Sequence, residues 1–443
     1  MNIEEYLDEM KKIQDSLEEF LMDDLEDAIK FNILSDLFEE LQINENMYKL
    51  KSLLHLLLKI SNHRHREPNL FPKIEKIIRQ FKDDIKRFYS NYEIFTIFKS
   101  NKRLLLFLTE ENILIIDEQI TKIIITDKYV KAKYPQYFLP EIKQYSDKEW
   151  YPKNKDNSEI KWIEEINNEI PNDFYEKRKI GENDSYLCEL IRKDSVEEFI
   201  KYVNNIKNQI SLDRTSIETS IYETNRFLIK ANKLTLIEYA AFFGSIQIFQ
   251  YLILNKVSIS KKLWIFCIHG KNAELIHVIE TYEVDSDEET FKECLKESIK
   301  CHHNDIAKYF QNKYFQNEKE YLTFSISNGI KYYNFEFIDQ KIINESFFFE
   351  LCKYDYYPIV DEFLKEENNI DINQKTDSKT PFFVAVEKEN IDIIKLLLTN
   401  DNLEVNILNK TERGEKTAFY LAIEKENLEI IKLLLKKEEL NIN

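Results

Sequence analysis

The chain has 443 residues and carries 62 lysine and arginine residues against 80 aspartate and glutamate residues, a net charge of −18. This acidic balance excludes a general nucleic-acid-binding protein, which needs a basic surface. With 5 glycines and 8 prolines, the chain lacks the material of Gly-rich phosphate loops and of turn-rich β-sandwiches. Because 30 Phe and 25 Tyr residues are too many for a solvated coil, we expect a folded protein rich in amphipathic helices.

Residues 1–150 predict a leader of amphipathic helices. Apolar residues recur at spacings of three and four between Ile3 and Phe20, which is typical of a helix with one buried face. The apolar clusters Ile113–Ile116 and Ile123–Ile125 have no hairpin turn signal beside them, so we assign them to helix ends rather than to strands.

The charges of the leader are segregated. Residues Met1–Glu40 are strongly acidic, whereas Lys51–Arg103 are strongly basic. One interpretation is that acidic and basic helices neutralise one another within a domain. The other is that the basic helices present a stripe to an acidic partner. The residues of that stripe are Lys73, Lys76, Arg79, Lys82, Lys86 and Arg87.

Half of the prolines fall between Pro135 and Pro171 in a stretch rich in Lys, Asn and Asp, so we place a linker or domain boundary at 151–183.

The five cysteines are an odd number spread over a long chain, which indicates a reducing, cytoplasmic location rather than a disulfide framework. The acidic N-terminus has no signal-peptide pattern, and no apolar stretch reaches the roughly 18 residues of a membrane span. We therefore expect no membrane partner.

The C-terminal part contains an internal repeat. Residues 380–398 read TPFFVAVEKENIDIIKLLL, and residues 417–435 read TAFYLAIEKENLEIIKLLL. The pair Val405–Asn406 lies 33 residues after Ile372–Asn373. A unit of this length, with insertions confined to loops, predicts stacked supersecondary units.

The same frame extends back to residue 184 and gives about eight units, of which 233–260, 378–406 and 415–443 are the clearest. One aligned position, usually a small residue, recurs on the first helix of each unit. The predicted residues at this position are Leu190, Ala240, Cys267, Ser298, Ser325, Leu351, Ala385 and Ala422. We assign Asn390 and Asn427 to the ends of first helices, because Asn tolerates the left-handed conformation found there.

These units resemble the ankyrin repeat, which begins with T-P-L-H-x-A and ends with V-N. Thr380 and Pro381 match the start, and Ala385 closes it. The family's His is absent, and Thr235 and Glu238 can form a capping box instead. The resemblance implies an all-α fold, with a helical leader followed by an ankyrin-type α-solenoid with short hairpins over 184–443.

A closer resemblance covers nearly the whole chain. The segments ELIRKDSVEEFIKYV and LIEYAAFFGSIQIF, and the leader segment FKSNKRLLLFLTEENILIIDE, are similar to divergent ankyrin arrays of Trichomonas-like protists. Those arrays contain a conserved domain of unknown function. That family has no assigned biochemical activity.

No phosphate-binding, dinucleotide-binding or hydrolase motif occurs, so we predict neither an enzyme nor a cofactor.

Three local patterns are candidate sites. Residues 63–66 (His-Arg-His-Arg) predict an exposed basic loop. The ligand types of Cys294, Cys301, His302 and His303 suit a metal, but their spacing is not a zinc pattern, and we expect no metal site. Ser286, followed by three acidic residues, is either a kinase substrate or a solvated hairpin tip.

We predict a non-catalytic interaction scaffold that binds an unidentified protein with the concave face and hairpin tips of the array. The candidate contact residues are Glu387, Lys388, Glu424 and Lys425 on helices, and Asp377, Lys379, Arg413 and Glu415 on hairpins. The alternative is an adaptor or regulatory subunit that acts on an enzyme in trans, with residues 1–150 as its docking module. The last repeat has no polar capping unit. Either its last helix tolerates exposure through Lys432, Lys436, Lys437 and Glu438, or an oligomer contact or further repeats of a longer array cover it.

Overall fold

The protein is described by a computed structural model that covers residues 2–22, 27–64, 69–126, 133–150, 170–205, 211–231, 233–282, 287–315, 318–339, 345–365 and 371–441. The prediction of a helical fold with short hairpins is confirmed. Ser286 and residues 65–66 and 151–169 lie outside the described residues, so the predictions made for them stay predictions.

The N-terminal 150 residues form short and medium helices. They are α1 (Ile3–Met22), α2 (Asp27–Glu40), α3 (Met47–His63), α4 (Leu70–Gln80), α5 (Lys82–Phe88), α6 (Asn91–Phe98), α7 (Lys102–Glu110), α8 (Glu118–Thr126), α9 (Tyr134–Tyr137) and α10 (Leu139–Ile142). A 3₁₀ turn at Lys143–Tyr145 follows. Ile123–Ile125 lies near the end of α8, as predicted, whereas Ile113–Ile116 forms the connection before α8 rather than a helix end.

Helices then follow mostly in antiparallel pairs. They are α11 (Phe174–Ile180), α12 (Tyr186–Arg192), α13 (Val196–Asn205), α14 (Arg226–Ala231), α15 (Leu236–Phe243), α16 (Ile246–Leu254), α17 (Leu263–His269), α18 (Ala273–Thr281), α19 (Glu288–Lys300), α20 (Asn304–Tyr314), α21 (Glu318–Tyr332), α22 (Glu345–Lys353), α23 (Tyr357–Lys365), α24 (Pro381–Lys388), α25 (Ile391–Leu398), α26 (Ala418–Glu424) and α27 (Leu428–Leu434). Two antiparallel strand pairs interrupt them: β1 (Ser216–Glu218) pairs with β2 (Lys233–Thr235) across α14, and β3 (Asn409–Thr411) forms a hairpin with β4 (Gly414–Lys416).

The first helices begin with the predicted caps. The hydroxyls of Thr380 and Thr417 accept hydrogen bonds from the main-chain amides three residues on, and Pro381 occupies the first helical position. The capping box of Thr235 and Glu238 is also present. These caps satisfy amide groups that a helix start would otherwise leave without partners.

A left-handed residue follows the first helix of each unit in the described part of the array. These residues are Asp194, Gly244, Lys271, His302, Tyr333, Asp355, Glu389 and Glu426, with φ angles from 45° to 65°. In seven of these eight described units, the aligned position predicted from the sequence lies four residues earlier. The units therefore share one helix–turn geometry although their sequences have diverged.

The unit that begins with α21 departs from the predicted frame. Its left-handed residue, Tyr333, lies four residues after Gly329, so the prediction of Ser325 at the aligned position is wrong by one helical turn. A Cβ atom on Gly329 would lie 3.1 Å from the Asn334 carbonyl oxygen, tighter than ordinary contact. The close approach of the turn to the helix explains the glycine, and two serines in the same helix obscure it in the sequence.

The prediction that Asn390 and Asn427 end first helices is also wrong, by one residue. The left-handed residues are Glu389 and Glu426, and each Asn begins the second helix instead. The Asn427 side chain caps its helix, accepting a hydrogen bond from the amide three residues on. The Asn390 amide donates to the Cys352 carbonyl oxygen of the preceding unit at 2.8 Å. Here Asn provides hydrogen bonds at the turn, while Glu takes the left-handed conformation.

Asparagines at the ends of repeats join each C-terminal unit to the next. The Asn373 side chain donates to the Asn402 carbonyl oxygen at 2.7 Å and accepts from the Glu404 amide at 3.0 Å. Asn406, one repeat later, makes the same two bonds to Glu439 and Asn441. The V-N ending of the repeat therefore clamps the equivalent loop of its neighbour.

Replacing Asn373 with alanine is expected to lower the free energy of unfolding by about 1–2 kcal/mol, because it removes both bonds of one clamp. Urea denaturation followed by circular dichroism measures this change. Asn402→Ala is the matched control, because only the main chain of Asn402 takes part in the clamp; it should stay within about 0.5 kcal/mol of wild type. Equal losses in both variants would contradict the clamp.

The described residues divide into two compact units. The first contains Met1–Glu19, Ala28–Leu56 and Phe315–Asn443, and the second contains Phe20–Asp27 and Leu57–Tyr314. Each unit thus combines N-terminal helices with part of the array. The division of the sequence into a leader (1–150), a linker (151–183) and an array (184–443) stays a prediction, because these segments do not coincide with the two compact units.

Candidate functional site

The C-terminal repeats of the first unit have two distinct edges, one at each end of their first helices. The hairpin edge consists of residues 371–379 and 409–416, which precede α24 and α26. The turn edge consists of the left-handed residues and the starts of the second helices, at the opposite ends of the first helices. Because a helix of eight residues is about 12 Å long, the two edges are separate surfaces.

The hairpin edge carries exposed charged residues. Asp377 occupies a tight turn with a φ angle of 51°, and Arg413 and Glu415 lie at the β3–β4 turn. All three residues are exposed. Among the described residues, no ion pair is formed by any of these three side chains. Three of the eight predicted contact residues are therefore exposed along the hairpin edge.

Two other predicted residues form an ion pair that recurs in the next repeat. The Lys379 ammonium lies 2.9 Å from Glu387 Oε1, and the Lys416 ammonium lies 2.5 Å from Glu424 Oε2. Each lysine also lies over an aromatic ring, that of Phe383 or of Tyr420. The contact residues predicted from the sequence did not include Lys416. Its equivalence to Lys379 is visible in the sequence, because both lysines begin the same pattern, Lys-Thr-x-Phe-aromatic. These pairs fix each hairpin against its first helix.

Lys388 and Lys425 are equivalent residues at the ends of α24 and α26, and both are exposed. Partial burial, together with the charges of Lys353 and Lys425, lowers the pKa of Lys388, although Glu387 opposes the shift. Lys425 lies 3.9 Å from Glu389. Each lysine lies between two glutamates in the sequence, so this part of the surface carries charges of both signs.

The outer face of the last described repeat is apolar. Tyr420, Ile423 and Leu428 are between 49% and 68% exposed. The equivalent residues of the preceding repeat are buried, because α26 and α27 pack on them. An oligomer contact at this face stays a prediction.

N-terminal helices occupy the turn edge in the first unit. The Lys51 ammonium lies 2.6 Å from Asp355 and 2.9 Å from Asp392, and all three side chains are largely buried. The Gln14 side chain donates to Asn334 Oδ1 at 3.0 Å. Burial raises the pKa of Asp355, but the charge of Lys51 outweighs it, so the net pKa lies below its ordinary value.

Further contacts of this unit fall on the same edge. The Tyr48 ring stacks on that of Tyr357, the first residue of α23, at 3.8 Å, and the Phe335 amide donates to Gln14 at 2.7 Å. Among the described residues, the hairpin edge forms no hydrogen bond or ion pair with residues 1–150. Among the described residues of the first unit, the leader therefore contacts the turn edge and makes no polar contact with the hairpin edge.

The second unit shows the same arrangement at α19 and α20. Arg64 Nε donates to the Cys301 carbonyl oxygen at 3.1 Å, and a second guanidinium nitrogen donates to the His302 carbonyl oxygen. His63 and Arg64 are buried, so the prediction that they belong to an exposed loop is wrong. The guanidinium satisfies main-chain carbonyls of a repeat turn, which the sequence could not indicate because that turn is distant along the chain.

The basic helices of the leader are largely neutralised by nearby acids. Lys73 is buried and pairs with Asp27 at 2.8 Å. Arg79 lies 2.8 Å from Glu111, and Arg87 lies 2.8 Å from Asp84. These pairs favour internal neutralisation over a continuous basic stripe.

A buried acid near the start of the array has a raised pKa. Burial raises the pKa of Glu223 to about 7, while the hydrogen bond from the Asn225 amide and the charge of Lys102 oppose the shift. Burial likewise lowers the pKa of Lys102 to about 7. Between pH 4.5 and 7 the folded protein therefore holds a proton on Glu223 that the unfolded chain releases, so this residue makes stability fall as the pH rises.

Glu223→Gln is expected to remove that dependence. The stability of the variant relative to wild type should rise by up to about 1.4 kcal/mol per pH unit between pH 4.5 and 7. Urea denaturation at pH 5, 6 and 7 measures the difference. The exposed Glu218→Gln is the control and should show a constant difference; a constant difference for Glu223→Gln as well would contradict the assignment.

Three metal-binding residue types meet in the second unit. His269, Glu297 and Cys301 are buried, and their ligand atoms lie within 4.8 Å of one another. Lys300 lies 2.6 Å from Glu297 Oε1 at the rim of the cluster. Burial opposes ionisation of Glu297, but the charges of His269 and Lys300 outweigh it and lower the pKa of Glu297 to about 2. The sequence pointed to Cys301 alone of these three, because the other two lie at uninformative spacings.

Two further findings concern location and chemistry. None of the helices in the described residues combines the length and the apolar character needed to cross a membrane. The five cysteines are free and buried. Burial raises the pKa of Cys188 to about 11, so this thiol stays protonated near neutral pH.

Comparison with known proteins identifies the repeats. Residues 348–443 match the family model of ankyrin repeats in three copies. The human ASB11 ankyrin repeat domain is 15% identical, and its alignment covers 58% of this chain and 100% of that one with a TM-score of 0.23. No curated protein sequence matches the chain significantly. Residues 348–443 of this helical repeat protein are therefore ankyrin repeats.

Proposed function

We propose that the chain is a non-catalytic protein-binding scaffold whose partner contacts the hairpin edge and the adjoining surface of the first helices. Ankyrin repeats are generally protein-binding modules, which supports the class of function. The observation that carries the proposal is the division of the two edges. The leader covers the turn edge, whereas the hairpin edge keeps exposed charges without partners among the described residues.

The eight predicted contact residues have two roles in this proposal. Asp377, Arg413 and Glu415 reach towards the partner from the hairpins, and Lys388 and Lys425 offer positive charge on the helices. The remaining residues, Lys379, Glu387 and Glu424, hold the hairpins in position through their ion pairs. Both signs of charge alternate along the edge, which suits a folded protein surface of mixed charge better than a uniformly acidic or basic ligand.

A second candidate function is an adaptor that docks through residues 1–150. The observation that favours it is an exposed apolar pair on α2: Ile29 and Ile33 are each 56% exposed and lie one helical turn apart. Against it, helices of the same segment are bound into both units through buried contacts. We rank it second for that reason.

Charge reversal separates the two functions. The triple variant Asp377→Lys, Arg413→Glu, Glu415→Arg should reduce capture of the principal partner from an extract of the native organism at least tenfold. Ile29→Asp with Ile33→Asp should leave that partner bound, and Lys86→Glu is the surface control. If the α2 variant alone loses the partner, the adaptor function is supported. If all three variants retain every partner, both proposals fail.

Two further predictions, on location and on the resemblance to protist proteins, also stay proposals. A reducing, cytoplasmic location is supported by the free state of the five cysteines. The similarity to ankyrin arrays of Trichomonas-like protists, with their domain of unknown function, also stays a proposal. A protein-binding role requires neither of them.

A further inference from the structure

The buried cluster of His269, Glu297 and Cys301 lies where two neighbouring first helices end. His269 is the last residue of α17, Glu297 lies in the last turn of α19, and Cys301 directly follows α19. The cluster combines an imidazole nitrogen, a carboxylate oxygen and a sulfur, and its side chains are shielded from solvent.

We propose that this cluster binds a zinc ion. The three atoms His269 Nε2, Glu297 Oε1 and Cys301 Sγ form a triangle with sides of 2.5, 4.0 and 4.0 Å. The point equidistant from them lies about 2.1 Å from each atom, close to the distances of zinc to nitrogen, oxygen and sulfur. The shortest side must open to about 3.3 Å for tetrahedral geometry, which a rotation of the Glu297 carboxylate supplies.

Neighbouring groups fix the position of the His269 ring. The Phe227 and Phe242 rings lie 4.1 and 5.1 Å from it, and the ring also hydrogen-bonds the main chain of His63. A histidine that binds zinc usually donates its other ring N–H to a carbonyl or carboxylate, which fixes the ring and its tautomer. The N-terminal helix α3 therefore supplies an outer support for a ligand that belongs to the array.

The charges of the ligand set favour zinc. A carboxylate and a thiolate balance the two positive charges of the ion, and the thiol proton of Cys301 passes to solvent on binding. Thiolate and imidazole ligands select zinc over calcium or magnesium, which prefer oxygen. Lys300 now pairs with Glu297 and is partly exposed, so its ammonium can move to solvent when the ion takes its place.

His303 is a candidate for the fourth ligand only after its side chain turns, because its ring nitrogens are not among the ligand atoms that lie within 4.8 Å of one another. It follows Cys301 by two residues and is buried, and neither ring nitrogen has a hydrogen-bond partner among the described residues. An unpartnered buried imidazole is costly, and a metal bond would satisfy one of its nitrogens. Water would complete the coordination if His303 does not.

Zinc content and cobalt spectroscopy of the full chain test the proposal. The protein purified without chelators should contain one zinc per chain, and the metal-free protein should bind Co²⁺ with a thiolate charge-transfer band that Zn²⁺ abolishes. Cys301→Ser should lose the band and weaken zinc binding by more than the roughly 10–100-fold that the loss of an outer-shell partner typically costs. Cys188→Ser, at another buried cysteine of the same unit, should retain both. His303→Ala shows whether His303 or water is the fourth ligand.

X-ray absorption of the wild-type zinc protein gives a result independent of any variant. We expect one sulfur neighbour at about 2.3 Å and nitrogen or oxygen neighbours at about 2.0 Å. Absence of micromolar zinc binding, a coordination shell without sulfur, or a cobalt band that persists in Cys301→Ser would each overturn the proposal. The outcome is independent of partner capture, because metal content and absorption are measured on the purified chain without a partner.

Discussion

Replacing Lys51 with methionine is expected to lower the free energy of unfolding by about 3–5 kcal/mol, because it leaves buried carboxylates without their cation. Lys51 lies between Asp355 and Asp392, and the burial of all three excludes the water that could replace it. Methionine keeps most of the side-chain volume, so the loss reports the charge rather than a cavity. Chemical denaturation at pH 7 measures the effect.

The matched control for this variant is Lys395→Met. Lys395 also pairs with an acid of a neighbouring repeat, Glu429 at 3.3 Å, but both side chains are about half exposed. Exposed pairs of this kind contribute little, so the control should stay within about 1 kcal/mol of wild type. If Lys51→Met were equally mild, the leader would not be bound to the repeats through this cation.

The second large effect is expected for Arg64→Leu, with a loss of about 2–5 kcal/mol. This variant removes the donors for the Cys301 and His302 carbonyl oxygens, and an unsatisfied buried carbonyl costs about 1–3 kcal/mol. The same denaturation measurement applies. Arg87→Leu is the control, because Arg87 pairs with Asp84 on the surface of α5 and its loss should cost less than about 1 kcal/mol.

Arg64→Leu also tests whether the leader and the repeats of the second unit unfold together. If the leader and the repeats of this unit unfold together, the variant shifts the signals of both by the same amount. Loss of the leader signal at low denaturant, with the repeats unchanged, would contradict a shared folded unit. Hydrogen exchange resolves the two signals by peptide.

The C-terminal repeats could be predicted from the sequence because their signals are local. Thr380 and Thr417 cap helices that start at the next residue, and the period of the V-N pair sets the stacking. A local signal fails where two small residues of one helix both fit the aligned position of the repeat. Ser325 and Gly329 lie one turn apart, and only the contact of Gly329 with Asn334 decides between them.

The association of the leader with the repeats could not be predicted. Gln14 meets Asn334, and Arg64 meets His302, across more than 200 residues of chain. Nothing in a single sequence pairs such residues. The amphipathic stripe of α1 showed that the helix must be buried, but not which surface covers it.

The candidate binding surface was predicted in position but not in detail. The hairpin residues Asp377, Arg413 and Glu415 follow from the repeat frame, and the structure leaves them exposed. The ion pairs of Lys379 and Lys416 depend on side-chain direction, which the frame does not specify. The meeting of His269, Glu297 and Cys301 could not be predicted, because the cluster combines residues from two repeats.

The most direct test of this account is hydrogen exchange of the intact chain over a range of urea concentrations. We expect the amides of α1 up to Glu19 and of α3 up to Leu56 to exchange with the same opening free energy as the repeat helices of the first unit, because buried contacts join them. The amides of α3 from Leu57 on should follow the repeat helices of the second unit. We also expect the hairpin edge to exchange faster and to be protected when the partner binds. A leader that opens several kcal/mol more easily than the repeats, with the hairpin edge unchanged by the partner, would contradict it.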